Sequence, residues 1–292
     1  MLPLQRKCDL ADIVRSSYYR FLAPVPQRSP DEQEVIDALH RICEDYPFYG
    51  YRRVCVELNK TIPGVNHKRV LRLMRQEGLV VRPRRRYLHT TDSDHDLRIY
   101  DNLLKHAAIS SINQAWVADL TYIAYGRRTR QFAYLAVILD DYSRKVIGWC
   151  LGRHVDASLT LGALEMALHT RDVSDGMIHH SDRGVQYACR RYVALLAQYG
   201  VDVSMSARGN PYENAKAESF MKTIKCEEVY RHEYDTFEEV AESIYCYIED
   251  MYNPRRLHSA LGYTSPVRFE ENLTTLQTYK PTVATRKMTV SK

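Results

Sequence analysis

Three strand-like stretches follow one another at 115–125, 132–141 and 145–153, two of them rich in β-branched and aromatic residues. Their short polar connections, Gly126-Arg-Arg-Thr-Arg130 and Tyr142-Ser-Arg-Lys145, make them antiparallel neighbours, and no other feature limits the fold as much. A helix is expected at 156–170, with Leu159, Gly162, Ala163, Met166 and Ala167 on one side. The short strand Met177-Ile-His-His-Ser181 leads to a helix near 188–199 and a strand at 201–206. Further helices are expected at 213–229 and 236–252, the second opening on a capping box, Thr236 with Glu239, and stopping before Pro254. The order βββαβαβα predicts a mixed sheet covered by helices, an α/β domain.

The first 90 residues read differently, as short helices. Val35, Ile36, Leu39, Ile42 and Cys43 keep helical spacing, and so do Tyr51, Val54, Cys55 and Leu58. Thr61-Ile-Pro-Gly-Val65 breaks the chain, Asn66 can cap a third helix, and Gly78 ends it. There Val70, Leu73 and Met74 face inward while Lys68, Arg72 and Arg75 form an outward basic stripe, the pattern of a small all-α helix-turn-helix domain. Arg82, Arg84, Arg85 and Arg86 follow and are candidates to track phosphates.

Charge supports that division. Residues 1–90 carry 17 basic and 10 acidic side chains, the rest 24 and 26, within a net charge of +5. Between 52 and 86 there are 11 basic residues against 2 acidic ones, which suits a module gripping a polyanion; a solvated helix face is the plainer alternative. The expected boundaries are a DNA-binding region at 1–86, a linker at 87–112 centred on Thr90-Thr-Asp-Ser-Asp-His-Asp96, a core at 113–271, and an unstructured tail at 272–292.

Several function classes drop out. The seven cysteines are scattered without a C-x-x-C pair, so neither a zinc knuckle nor a disulfide framework is signalled. No phosphate-binding G-x-x-x-x-G-K-[ST] loop is present, so no ATP use is expected. The longest apolar run, Tyr134 to Leu139, is far short of a membrane span, and a cytoplasmic, nucleoid-associated protein is expected.

Three carboxylates are candidates for chemistry, each with a plainer reading when taken alone: an arginine pair for Asp119, a cap or turn for Asp182 and an exposed salt-bridge face for Glu218. Asp119 lies mid-strand in Trp116-Val-Ala-Asp-Leu-Thr-Tyr122, where an unpaired charge costs several kcal/mol unless it is paired, solvated or bound to a cation. Asp182 follows a strand directly in His180-Ser-Asp-Arg-Gly-Val-Gln-Tyr187, and strand carboxyl ends carry ligand sites in α/β sheets. Glu218 lies in the helix opened by Gly209-Asn-Pro-Tyr-Glu-Asn-Ala215, on a stripe with Asn214, Lys222 and Lys225. Asp140 and Asp141 are rival carboxylates for which a turn role is the stronger reading. His258 and Arg256 divide evenly between a helix cap and a phosphate contact.

These segments, with Tyr49-Gly-Tyr-Arg-Arg53, Tyr252-Asn-Pro-Arg-Arg-Leu-His258 and Leu261-Gly-Tyr-Thr-Ser-Pro266, resemble the retroviral-integrase-like DDE transposases encoded by the second open reading frame of bacterial insertion sequences. The spacing of 35 residues between Asp182 and Glu218 belongs to the same pattern. The resemblance implies a ribonuclease-H-like core in which Asp119, Asp182 and Glu218 are the catalytic residues. They would hold two Mg²⁺ ions, Mn²⁺ being able to substitute, with Asp119 bridging the pair. It implies 3′-end cleavage and strand transfer by direct transesterification, acting on element ends and target DNA. A homo-oligomer on DNA is expected, as is an upstream-frame helix-turn-helix and coiled-coil protein as partner. Lys222 and Lys225 would hold the DNA backbone, and Gln186 and Asn214 would orient DNA or support the metal ligands. Ala207 and Glu213 depart from the pattern, which bears on loop contacts and not on the triad. A nuclease without strand transfer and a non-catalytic DNA-binding regulator are the alternatives.

Overall fold

Apolar residues at helical spacing organise the first of two compact units, Met1–Val81, in the computed structural model, which describes residues 3–22, 30–81, 98–128, 130–207 and 210–278. Its helices are α1 (Leu4–Leu10), α2 (Arg15–Leu22), α3 (Pro30–Asp45), α4 (Tyr51–Thr61) and α5 (His67–Gln76). Val35, Ile36 and Leu39 of α3, Val54 and Leu58 of α4, and Val70, Leu73 and Met74 of α5 are all buried, as one apolar stripe per helix requires. The Asn66 carboxamide accepts the Lys68 N–H at 2.8 Å and so caps α5. Gly78, at φ +72°, lets the Leu79 N–H return to the Met74 carbonyl at 2.8 Å and ends the helix. The turn between α4 and α5 is stapled by Asn59. Its amide donates to the Cys55 and Val65 carbonyls, and its oxygen accepts from Gly64 and Val65 N–H.

The second unit, Arg82–Lys292, is built on a five-stranded sheet of order β3-β2-β1-β4-β5. β1 (Ala115–Tyr125) pairs antiparallel with β2 (Gln131–Asp140), which pairs antiparallel with β3 (Val146–Gly152). β4 (Ile178–Ser181) and β5 (Asp202–Met205) add in parallel on the other side of β1. The crossover from β3 to β4 is α6 (Ala157–Thr170), and α7 (Val185–Ala188) with α8 (Arg190–Gln198) lead from β4 to β5. A Cβ at Gly148 would stand 2.1 Å from the Ala163 carbonyl oxygen, so only glycine lets α6 lie this close to β3. α9 (Ala215–Ile224) and α10 (Phe237–Tyr245) cover the opposite face, giving the sheet a separate apolar core on each side. Three antiparallel strands extended by two parallel ones, with helices on both faces, form a ribonuclease-H-like core. The expected strand and helix order holds throughout.

Several expectations change. The helix expected at 213–229 is three pieces: a 3₁₀ turn at Pro211–Asn214, α9, and a π-helical segment at Lys225–Val229. The helix expected at 236–252 likewise passes from α10 into a π segment at Cys246–Tyr252. Part of the expected linker is attached to the core: the Leu103 N–H donates to the Ser204 hydroxyl at 2.9 Å, and Leu104 packs on one of the apolar clusters. A final helix, α11 (Pro266–Thr278), runs past the expected start of the tail. Glu270 holds it, accepting from the Ser143 hydroxyl at 2.6 Å and pairing with Arg171 at 2.8 Å and Lys145 at 3.2 Å. Arg82, Arg84, Arg85, Arg86, residues 87–97 and residues 279–292 lie outside the described residues. No helix among the described residues is long and apolar enough to cross a membrane.

Candidate active site

Parallel pairing brings the first two carboxylates together. β1 and β4 align Ala115 with Ile178, Trp116 with His179 and Val117 with His180. Asp119 follows the last paired residue of β1 by two positions and Asp182 follows the last residue of β4 by one, so both lie where the two strands stop pairing, close enough for Asp119 to feel the Asp182 charge. The third is brought in from the helical side. Asn214, immediately before α9, is buried and its amide donates to the Ala118 carbonyl at 3.0 Å, which docks the start of α9 beside Asp119. Glu218 lies one turn further along α9 and is exposed.

The electrostatics show that the three acids sense one another. The Asp119 carboxyl is pushed up from 3.8 to about 8, first by burial, then by the negative charges of Asp182 and Glu218. The Leu120 N–H, donating at 2.8 Å, and the Lys225 ammonium oppose that rise without cancelling it. Among the described residues no three His, Cys, Asp or Glu side chains are gathered tightly enough to hold a metal ion as they stand. The fold therefore gathers like charges around Asp119 but does not clamp them to ligand distances.

The neighbours of this cluster have defined roles. Asp182 accepts the Gly184 N–H at 2.9 Å, and a Cβ on Gly184 would come within 3.0 Å of that carboxylate and 2.9 Å of the Gln186 amide oxygen. His180 is a packed core residue, with Nδ1 2.8 Å from the Ser204 hydroxyl and a pKa lowered by burial. His179 bonds the Tyr192 hydroxyl at 2.9 Å and is lowered to about 3 by burial and by His180. The Tyr187 hydroxyl, the Asn214 amide oxygen and His180 Nε2 are buried and find no partner among the described residues. Tyr187 also feels the charges of Asp119 and Asp182.

The expected polar stripe on α9 is not a single stripe. Asn214 faces inward, its amide nitrogen bonded to a β1 carbonyl and its oxygen without a partner among the described residues, a position that suits support of the carboxylates better than a contact with DNA. Lys222 is exposed. Lys225 is half-buried, its Nζ 4.8 Å from the Tyr122 ring centroid; burial lowers its pKa and Asp119 raises it. A π segment begins at Lys225, where the Tyr230 N–H returns to the Lys225 carbonyl at 2.8 Å, five residues back. Gln186 is half-buried beside Gly184.

Two rival readings are also settled by position. Asp140 takes N–H bonds from Asn113, Tyr142 and Ser143, the turn role expected of it, and Asp141 pairs with Lys216. Arg256 is buried and bonds Glu227 through Nε and Nη2, each at 2.6 Å, while the Tyr247 hydroxyl donates to the same carboxylate at 2.9 Å. It locks the π segment and offers nothing to phosphate. Sequence reasoning missed that network, as it missed Tyr122 beneath Lys225, although Tyr122 stood three residues after Asp119 in the quoted motif.

In the helical unit Lys68, Arg72 and Arg75 are exposed on α5 as expected. Arg72 is not free, however: it pairs with Glu32 of α3 and bonds Gln76 at 3.0 Å, and Arg69 pairs with Asp31 at 3.3 Å.

Comparison with known proteins shows the family. Residues 30–87 match an HTH-like domain family, while 110–211 and 199–266 match two integrase core domain families. The insertion element IS600 31 kDa protein of Shigella sonnei is 36% identical over 267 residues, covering 90% of this chain and 97% of that protein. Transposase InsF for insertion sequence IS3A of Escherichia coli K12 is 36% identical over 223 residues, 76% of each chain. Among solved structures, the simian T-cell lymphotropic virus intasome with PP2A regulatory subunit B56 gamma overlays at a TM-score of 0.47 and 12% identity, covering 87% of this chain and 80% of that one. The HTH-like and integrase core matches make DNA the partner of this chain. The chain belongs to the IS3-type insertion-sequence transposases, enzymes with a DDE integrase core.

Proposed function

We propose that Asp119, Asp182 and Glu218 are the catalytic carboxylates of this transposase and hold a pair of Mg²⁺ ions, for which Mn²⁺ can substitute. The observation that carries the proposal is the Asp119 carboxyl, raised to about 8 by burial and by both other acids. Such a site gathers negative charge that a cation would relieve, and hard oxygen donors suit Mg²⁺. The partnerless Tyr187 hydroxyl and Asn214 oxygen fit a hydrated ion nearby. Ligation requires the carboxylates to draw closer than they stand, and Glu218 is exposed on its helix. When bound, the ions supply Lewis acidity to the attacking and leaving oxygens of an in-line displacement.

The chain's own residues do the rest. Asp119 would release its proton to solvent on holding a cation, and the half-buried Lys225 lies near enough to feel its charge. Lys222, exposed on α9, meets the DNA backbone, and Gln186 reaches the DNA end from the α7 turn. Water attacks the phosphodiester at the element's end, forming one P–O bond, breaking another and leaving a 3′-hydroxyl. That hydroxyl then displaces a phosphodiester oxygen in the target, so the bond energy is conserved and no nucleotide is consumed. Lys68, Arg72 and Arg75 hold duplex DNA through the helical unit. Joining two element ends calls for at least two cores, so a homo-oligomer assembles on DNA, within the nucleoid.

Glu218→Gln is the test. On DNA carrying the element's own ends with Mg²⁺, it is expected to cut joined product by on the order of 10³-fold while end binding stays within about twofold. Normal joining by this variant removes Glu218 from the site. Cut ends that never join, made by the unaltered protein, mark a nuclease instead.

A further inference from the structure

Beside the carboxylates lies a groove of about 1020 Å³ that the reaction as described leaves unused. It starts at Lys225 and Tyr122 and runs to Arg127 and Arg130 in the β1–β2 turn, with Tyr230 and Arg231 also in its wall. It lies where β1 has outrun its neighbour, because pairing with β4 covers only Ala115–Val117. At the far end the Gly126 N–H donates to the Tyr234 carbonyl at 2.9 Å and joins the two walls.

The charge in this groove is uneven in a useful way. Arg127 is held by Asp235 at 3.1 Å and Glu233 at 3.7 Å, and the neighbouring His232 lies 3.0 Å from Glu228. Arg130 and Arg231 are exposed, and no ion pair is formed by either among the described residues. Lys225 stands at the other end, against Asp119's charge and over the Tyr122 ring. Cations at both ends with tyrosines between are the lining expected for a single nucleic-acid strand, whose phosphates need charge and whose bases need a π face. The volume is near the upper end of pockets that enclose one small molecule, the size of a few nucleotides of one strand.

We propose that this groove takes a short unpaired stretch of DNA adjoining the scissile phosphate, with its phosphates on Lys225, Arg130 and Arg231 and a base against Tyr230. The proposal rests on the carboxylate reading above, since it is Asp119 that gives the groove its reactive end. It makes the core a reader of single strands, whereas the helical unit holds duplex.

The test uses the full chain and a short oligothymidine carrying 5-iododeoxyuridine, with a duplex of equal length as competitor and no divalent metal. Ultraviolet crosslinking should attach the single strand to the 225–234 peptide, with the duplex competing poorly. Arg130→Ala combined with Arg231→Ala should lower that crosslink at least about fivefold and flatten the salt dependence of single-strand binding by about 1.4 in log–log slope. Glu218→Gln should leave the crosslink unchanged, so loss of joining without loss of crosslinking separates the two readings. A crosslink that maps elsewhere, that the double variant retains, or that the duplex displaces equally well overturns the groove assignment. Arg72→Ala with Arg75→Ala controls for the helical unit and should not reduce the 225–234 crosslink.

Discussion

The two units handle charge in opposite ways. In the helical unit the basic residues of α5 face acidic partners from the start of α3, Arg69 with Asp31 and Arg72 with Glu32, at sites open to water. Such pairs are worth at most about 1 kcal/mol, so the unit spends little on them and can exchange a carboxylate for a phosphate at small cost. In the core, Asp119 is partly buried with Asp182 and Glu218 as its neighbours, and the main opposing groups are the Leu120 N–H and Lys225. In one region two arginines already have carboxylate partners; in the other like charges crowd a half-buried acid, which is the imbalance that the proposed cations would relieve. A binding surface can be made of satisfied groups, whereas a catalytic site is built from groups the fold alone leaves unsatisfied.

The largest effect should come from removing that imbalance. Asp119→Asn is expected to lower strand joining by on the order of 10³-fold, like the loss of Glu218. Yet it should make the metal-free protein more stable, by about 2–4 °C in Tm for each kcal/mol of relieved repulsion. The sign follows from linkage. Asp119 ionises at 3.8 in the unfolded chain and at about 8 in the folded one, so between those values the folded state carries the extra proton. Stability of the unaltered protein should fall as pH rises through roughly 4 to 8, and Asp119→Asn should remove that part of the slope. Thermal melts across this range, with and without Mg²⁺, check it. A less stable variant, or an unchanged pH slope, would break the contrast between the units.

How much of this was legible beforehand differs along the chain for physical reasons. The βββ meander, the capping of α5 by Asn66 and the turn at Asp140 were readable because each is a local event, fixed by alternation, a cap residue or a short connection. The three acids stood out because a mid-strand aspartate has no cheap structural explanation, and family likeness joined them. The π segments were not readable: nothing in Lys225-Cys-Glu-Glu-Val229 departs from α-helical composition. What fixes that segment is Glu227 bonded to Arg256 and Tyr247, partners 29 and 20 residues away. The clamp made by Asn214 was not readable for the same reason. Its bond is to Ala118, 96 residues earlier, and spacing along one helix cannot reveal a contact with a strand.

That contact supplies the next test. Asn214→Ala deletes the amide that anchors the start of α9 and leaves the Ala118 carbonyl buried without its donor, at a cost of about 1–3 kcal/mol. If Asn214 only supports the fold, stability and joining fall together and DNA binding by the helical unit is untouched. Should binding of the DNA end drop with stability unchanged, Asn214 would instead be the outward contact that the sequence suggested. Asn214→Asp separates the cases further, because it keeps size but replaces the donor with a charge beside Asp119.

The smallest effect probes the other side of the contrast. Glu32→Gln should remove the acidic partner of Arg72, leaving its bond to Gln76, without disturbing the apolar stripe of α3, since Glu32 lies outside the buried set of Val35, Ile36 and Leu39. Unfolding free energy should shift by less than about 1 kcal/mol, as for other exposed ion pairs. DNA affinity at low salt should rise by up to about fivefold, the equivalent of that pair, because Arg72 no longer has to leave a carboxylate to meet a phosphate. The complementary change, Arg72→Ala, should weaken binding and reduce the log–log salt slope by about 0.9, the share of one phosphate on duplex DNA. Both slopes come from filter-binding or anisotropy titrations of the element's end. If Glu32→Gln leaves affinity and slope where they were, Arg72 serves α3 and not DNA. The basic stripe would then reduce to Lys68 and Arg75, and the view of this unit as a lender of charge would fail at its central residue.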